Sequence, residues 1–284
     1  MATTLLEALA ALDALPDQYA ILEVSAELAA RQRASLDALP EKLRRRVTWL
    51  ERLPQAPTRG VVIANEVLDA LPCSRFVVHE TRVRALGVAV SADGTFIERE
   101  GFADENLVRY AEPLVRELAL ADGYRSELCW RIEPWLAGVA ECLQSGAILL
   151  FDYGLPRTHY YHPQRTDGTL RCHFKQRAHN DPFMLVGVQD ISSWVDFTRV
   201  AEAGDAAGLT VCGFTTQSAF LLGSGMEELL GAAADEITHA RRAGEAIRLL
   251  LPGEMGEAFK VMALCRNFAA PLRGFALQDL RASL

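Results

Sequence analysis

Asn65, Glu66 and Asp69 follow directly on the apolar run Val61-Val62-Ile63-Ala64, with Gly60 before it and Leu71-Pro72 after it. A short apolar run introduced by glycine reads as a buried parallel strand. Ligands of open α/β sheets bind beyond the carboxyl ends of such strands, which is where Asn65 and Glu66 would stand. The same residues would also serve as a plain strand terminus followed by a helix cap. Two more carboxylates occupy the same position relative to an apolar run. Glu23 follows Tyr19-Ala20-Ile21-Leu22, and Asp152 follows Gly146-Ala147-Ile148-Leu149-Leu150-Phe151. An acidic residue at the end of the second strand of a nucleotide-binding fold, the place Glu23 would take, accepts from ribose hydroxyls.

Other chemistry-bearing residues point less clearly. Four of the six histidines, His159, His162, His173 and His179, fall between 153 and 190. Zinc requires His and Cys pairs at helical or CxxC spacing. Cys172 and His173 are adjacent and point apart, so no metal site is expected. His79 lies in an alternating strand and reads as a surface residue. Glu257 and Lys260 read as ordinary solvated charges.

The elements that must position these residues alternate between strand and helix. Leu5, Leu6, Leu9, Leu12 and Leu15 repeat at three-to-four spacing, which predicts an amphipathic helix over 3–15 capped by Thr3 or Thr4. A strand over 19–24 is followed by Ser25 as N-cap and a helix over 27–36. Short strands follow at 47–50 and 60–64. Residues 75–100 alternate polar and apolar around Ser91-Ala92-Asp93-Gly94, which predicts an antiparallel hairpin insertion. Helices are expected over 105–120 and 130–144, separated by 123–127, and the central strand over 146–151. The segment 153–190 shows little regular pattern and reads as a functional insertion. A helix starting at 190–192 and running over 194–203, interrupted near Gly204 and continuing towards Gly208, a strand at 210–214, a helix over 226–247 and a last strand at 259–265 complete the chain. The expected architecture is one α/β domain, 1–284, with insertions at 75–100 and 153–190.

Composition bounds the function. The 284 residues are half hydrophobic and carry a net charge of −8, which argues against a nucleic-acid surface. The six cysteines show no paired spacing and read as reduced thiols of a cytosol-like compartment, with Cys142, Cys212 and Cys265 in the core. No run approaches the ~18 apolar residues of a membrane span. The N-terminus lacks the basic region and cleavage site of a signal peptide.

Eight stretches, in order along nearly the whole chain, resemble the MidA-like S-adenosylmethionine (SAM)-dependent methyltransferases. They are Ile21-Leu22-Glu23-Val24-Ser25, residues 65–72, Gly123-Tyr124-Arg125-Ser126-Glu127, Phe151-Asp152-Tyr153-Gly154, residues 161–165, residues 168–172, Asp196-Phe197 and residues 255–261. This is the family of the mitochondrial complex I assembly factor that methylates an arginine of a complex I subunit. The resemblance implies a class I methyltransferase-like, Rossmann-like sheet. It also implies SAM as cofactor and arginine N-methylation of a partner protein, by analogy a respiratory-complex one. Glu23 is implied as the ribose ligand, with Val24, Leu50 and Asn65 also on the cofactor. Glu66, Asn65, Asp69 and Glu127 are implied on the acceptor side, with Asp152 nearby. Residues 1–18 resemble the part of the family that follows its Gly-rich turn. The expected form therefore lacks the first strand and that loop, and self-association is expected at the strand edges left open. The resemblance places such a protein in the cytoplasm, or in mitochondria if eukaryotic. A non-catalytic relative that binds a partner as an assembly scaffold is the alternative.

Overall fold

The protein is described by a computed structural model covering residues 1–175, 177–231 and 235–284. Its contacts separate two units, Met1–Pro57 and Thr58–Leu284.

In the first unit the elements are α1 (Ala2–Ala11), β1 (Tyr19–Leu22), α2 (Ala26–Leu36), α3 (Glu41–Arg44) and β2 (Val47–Leu50). β1 and β2 pair in parallel, Tyr19 opposite Val47 and Leu22 opposite Leu50. Parallel neighbours need a crossover, and α2 supplies it. Ser25 caps α2 as expected, its Oγ accepting from Leu28 N at 3.3 Å. Leu6 of α1 is fully buried with Leu36, Leu39, Leu43 and Val47. α1 stops at Ala11, short of the expected 15, and Asp13 turns into the left-handed region at φ 52°. Met1 holds its N-cap position without a side-chain bond, so Thr3 and Thr4 lie inside the helix.

The second unit begins with β3 (Thr58–Asn65), β4 (Ser74–His79), β5 (Arg82–Val90), β6 (Phe96–Phe102), α4 (Glu105–Glu117) and β7 (Arg125–Leu128). It continues through α5 (Ile132–Glu141), β8 (Leu143–Leu155), α6 (Arg157–Tyr160), β9 (Arg171–Phe174), β10 (Arg177–His179), β11 (Asp190–Ser192) and β12 (Val195–Asp196). It ends with α7 (Phe197–Ala206), β13 (Thr210–Thr216), α8 (Gln217–Gly223), α9 (Met226–Gly231), α10 (Glu236–Leu250), α11 (Met255–Ala258) and β14 (Phe259–Arg266). Of the helix expected over 226–247, residues 232–234 lie outside the described residues.

β8, thirteen residues long, is the spine of the main sheet, in the order β3-β8-β14-β13, with β12 pairing the exit of β8. β3 runs parallel to β8, and β14 antiparallel to both β8 and β13. Alternation divides β8 between two cores. Ile148 and Leu150 join Leu136 and Val139 of α5 and Val200 and Ala203 of α7. Leu149 and Phe151 meet Val261, Ala263 and Phe275 on the other face. β3 and β8 approach so closely that a Cβ on Gly146 would lie 1.8 Å from the Gly60 carbonyl oxygen, so glycine is required there.

Several expected features differ. β3 is an edge strand, not a buried one: among the described residues only β8 pairs with it, and Val61 is 62% exposed. Its apolar run therefore covers a single face. The expected hairpin at 75–100 is a three-strand meander. It is completed by β7, built from the 123–127 stretch read as a separator, into a sheet ordered β6-β5-β4-β7. The turn at Ser91 is as expected, with Ser91 N donating to Thr95 O at 2.9 Å and Gly94 at φ 86°. Residues 190–192 form strand β11, not a helix start, because they pair with β9. α7 starts at Phe197, where Asp196 accepts from Thr198 N and Arg199 N. It runs through Gly204, which packs on Leu264. No helix among the described residues is long and apolar enough to cross a membrane.

Candidate functional site

Three carboxylates gather where β3 and β8 end. Asp152, on the face of β8 that carries Ile148 and Leu150, is buried. Its Oδ2 accepts from Leu68 N at 2.9 Å and Asp69 N at 3.3 Å, and its Oδ1 from Tyr153 N at 2.9 Å. A side chain of the central strand thus pins the turn that leaves β3. Burial, then the Asp69 charge, push the Asp152 carboxyl up to about 7, against the three amides.

Asp69 is itself more than nine-tenths buried, and its carboxyl is raised by burial and by the Glu66 charge. A Ser192 hydrogen bond opposes the rise and the Asp190 charge adds to it. The Asp69 carbonyl accepts from Ser193 N at 3.3 Å, which ties the turn to the chain beyond β11. Among the described residues, Asp69 Oδ1 has no hydrogen-bond partner. A buried carboxylate oxygen without a donor is costly unless a ligand supplies one.

Glu66 is exposed and sits at φ 52°, a strained setting for a side-chain-bearing residue. Its N still donates to Phe151 O at 2.9 Å, so the ladder holds the strain in place. Asn65 Nδ2 donates to Glu66 Oε1 at 3.1 Å. Asn65, Glu66 and Asp69 are thus brought together, with Asp152 behind them. No helix follows β3, so the helix-cap reading of Asn65 and Glu66 does not apply.

Glu127 stands elsewhere. It has no exposed surface, and its Oε1 accepts from Thr169 N, from Thr169 Oγ1 at 2.5 Å and from Tyr160 OH at 3.3 Å. Its carbonyl takes Tyr161 OH at 3.3 Å, and Thr169 Oγ1 accepts from Trp194 N at 3.0 Å. Burial raises its carboxyl, and Cys73 beside it is pushed up to about 11 by burial and then by the Glu127 charge. Lys260 is buried too, contrary to the solvated charge expected, because β14 lies between β8 and β13. Its Nζ donates to the Glu257 carbonyl, and burial pushes the ammonium down to about 8.

Sequence reasoning overlooked Tyr153, whose ring lies 3.8 Å from that of Phe259. Its hydroxyl is raised by burial and then by Glu66, Asp69 and Asp152. Its place directly after Asp152 at a strand exit was the available signal. Asp190 and Ser192 were missed because only the pairing of β11 with β9 brings them to the turn.

In the first unit, Glu23 stands at the carboxyl end of β1. Its Oε1 accepts from Ser25 N and its Oε2 from Gln32 Nε2, both at 2.9 Å. Gln32 is oriented in turn by Trp49 Nε1, which donates to its Oε1 at 3.1 Å. Val24 beside it is almost fully exposed, and Leu50 ends β2 half-buried.

The family model that matches residues 1–215 is described as "Putative S-adenosyl-L-methionine-dependent methyltransferase". A Burkholderia thailandensis protein crystallised with S-adenosyl-homocysteine bound is 37% identical, with a TM-score of 0.91. The alignment covers all of this chain and 73% of that one. The native structure of an uncharacterized protein of the same superfamily from Burkholderia thailandensis is 38% identical, with a TM-score of 0.92. There the alignment covers all of this chain and 75% of that one. The chain belongs to the MidA-like SAM-dependent methyltransferase family. No match was found among curated proteins.

This methyltransferase has the class I methyltransferase-like α/β fold, and SAM is its cofactor. Glu23 fits that cofactor. Each of its oxygens accepts one hydrogen bond within the unit and retains a lone pair for a ribose hydroxyl.

Proposed function

We propose that the methyl acceptor is an arginine side chain of a partner protein, and that Asn65, Glu66 and Asp69 receive it. The observation that carries this reading is the buried, donorless Asp69 Oδ1 beside the exposed Glu66 carboxylate. A guanidinium offers five donors in a planar fork and keeps its charge when desolvated, so it satisfies carboxylates of this kind.

SAM, when bound, supplies an electrophilic methyl group. Glu23 would hold its ribose, with Val24 and Leu50 beside it in the first unit. Glu66 and Asp69 align the guanidinium, and a carboxylate at hydrogen-bond distance takes the proton that the attacking nitrogen sheds. Rate then comes from in-line positioning and from field stabilisation of the acceptor. Asp152 fixes the turn that carries Asp69. Glu127 is a positioning residue that sets Thr169 and, through it, Trp194.

Tritiated SAM with arginine-containing peptides, followed by hydrolysis and amino-acid analysis, tests the acceptor. Methylarginine is expected, and label in lysine or in a small molecule would overturn the reading. Glu66→Gln should lower transfer by at least ~100-fold with S-adenosyl-homocysteine affinity unchanged by calorimetry. Parallel loss of both would make Glu66 structural.

A further inference from the structure

The loop joining β10 to β11 is apolar where it meets solvent. Met184, Leu185, Val186, Val188 and Ile191 are all close to half exposed or more, Val188 reaching 64%. Apolar side chains concentrated on one short segment mark an interaction surface more often than scattered ones do. The loop is also built. Phe183 N donates to Asp181 Oδ1 at 2.9 Å, Val188 N to Leu185 O at 3.0 Å, and Gln189 Nε2 to Pro182 O at 2.8 Å. Leu185 is held at φ 52° and Gly187 at φ 83°. A leucine in that region costs on the order of 1 kcal/mol, and here the strain turns apolar side chains outward instead of into a core.

This lip is continuous with the carboxylate cluster. The chain leaving it passes through Asp190, whose charge acts on Asp69, and Ser192, whose Oγ donates to Asp190 Oδ2 at 3.3 Å. It reaches Ser193, whose N donates to the Asp69 carbonyl. Val188 and Ser193 are five positions apart, so Val188 lies within about 17 Å of Ser193, the residue bonded to the Asp69 carbonyl. The two surfaces together present negative charge beside exposed aliphatic groups. Their complement is an extended polypeptide with a cationic side chain and aliphatic residues within about five positions of it.

We infer that the 182–191 lip is the specificity element for the acceptor, binding aliphatic side chains that flank the methylated cation in a protein segment. The inference rests on the arginine reading of the carboxylate cluster, but the lip can be tested apart from it. A lipid surface would also engage apolar side chains. The adjoining Glu66, Asp69 and Asp190 repel anionic headgroups and favour a cationic polypeptide.

The test uses the 284-residue protein saturated with S-adenosyl-homocysteine and three fluorescein-labelled decapeptides, read by anisotropy. One carries a central arginine flanked by leucine and isoleucine, one the same arginine flanked by serine and glutamine, and one the aliphatic flanks around a central glutamine. The first is expected to bind at least ~10-fold tighter than the second. Val186→Ser combined with Val188→Ser should erase that preference. Both positions are exposed, so the variant should melt like the wild type. Equal binding of the first two peptides, or a preference that survives in the variant, would overturn the lip. If the third peptide binds as tightly as the first and responds to the variant, the lip stands and the arginine reading fails. Co-sedimentation with phosphatidylcholine vesicles that is lost in the variant, with no discrimination among peptides, would overturn the inference in favour of a membrane.

Discussion

Two buried carboxylate clusters in the same unit solve the problem of desolvated charge in opposite ways. Around Glu127 the protein supplies donors, Thr169 twice and Tyr160 once, all on Oε1, while Oε2 is buried without a hydrogen-bond partner among the described residues. Gly168 is pressed so close that a Cβ would lie 2.1 Å from Oε2. Around Asp69 the protein supplies more carboxylates, Glu66, Asp152 and Asp190, and leaves Oδ1 without a partner. The first cluster is closed and joins β7 to the 166–169 turn and to Trp194. The second carries like-charge tension at a solvent-facing edge, which a structural role alone would not require. A carboxylate that gathers three donors on one oxygen ties segments together, whereas one set among like charges at a solvent-facing edge is suited to an incoming cation.

That contrast can be broken by substitution. Glu127→Ala should be the most damaging change, costing about 4 kcal/mol, because it opens a cavity and strands Thr169 and Tyr160. Gly168→Ala should cost about 3 kcal/mol, since it adds a Cβ against Glu127 at φ 75°. Urea midpoints would report both. If either variant matches the wild type, the Glu127 cluster is not the structural one.

Asp152→Asn should change the pH dependence of stability. The folded protein keeps the Asp152 proton up to about pH 7, while the unfolded chain releases it near the ordinary value of 3.8. Its contribution is therefore full below pH 4 and is lost as the pH rises towards 7, on the order of 3 kcal/mol across that window. Asparagine should flatten this part of the curve in urea melts at pH 4.5 and 7.5. An unchanged slope would show that Asp152 ionises normally in the fold.

A smaller effect is expected at Lys260. Its ammonium is depressed to about 8, so below pH 8 the folded state carries a charge that burial disfavours. Lys260→Met should stabilise by ~1–2 kcal/mol at pH 6.5, with the gain fading as the pH approaches 10.5. Thermal melts at the two extremes would detect it, and a destabilised variant at pH 6.5 would show that the bond to the Glu257 carbonyl outweighs desolvation. Smallest of all, Asp69→Asn should leave stability within ~1 kcal/mol of wild type, since it removes a repelled charge. A loss comparable to that of Glu127→Ala would erase the distinction between the clusters.

Much of the scaffold was legible because its signals are local. The 47–50 strand matched residue for residue, Ser25 caps its helix, and the turn at Ser91 closes as its residues require. The failures share a cause, which is pairing between distant segments. Residues 190–192 look like a helix start until they add to β9. Residues 123–127 look like a linker until Arg125 pairs with Val77. Lys260 looks solvated until β14 is seen between two strands. Cys172 was not assigned to the core, yet it is fully buried where β9 pairs on both sides.

By itself the sequence determined that carboxylates stand at strand exits, because an apolar run followed by Glu or Asp can end in few other ways. It also carried the family resemblance, including Glu23 beside its capping serine. Which carboxylates share a field was decided only by the tertiary structure. Asp152 lies 83 positions from Asp69 and meets it because β3 and β8 pair in a register that sets Asn65 opposite Phe151. Glu127 shares the chemistry of Asp69, but β7 pairs in the other sheet, where Thr169 and Tyr160 close over it. A side chain's type is fixed by sequence, but its charge state and availability depend on what the fold packs around it.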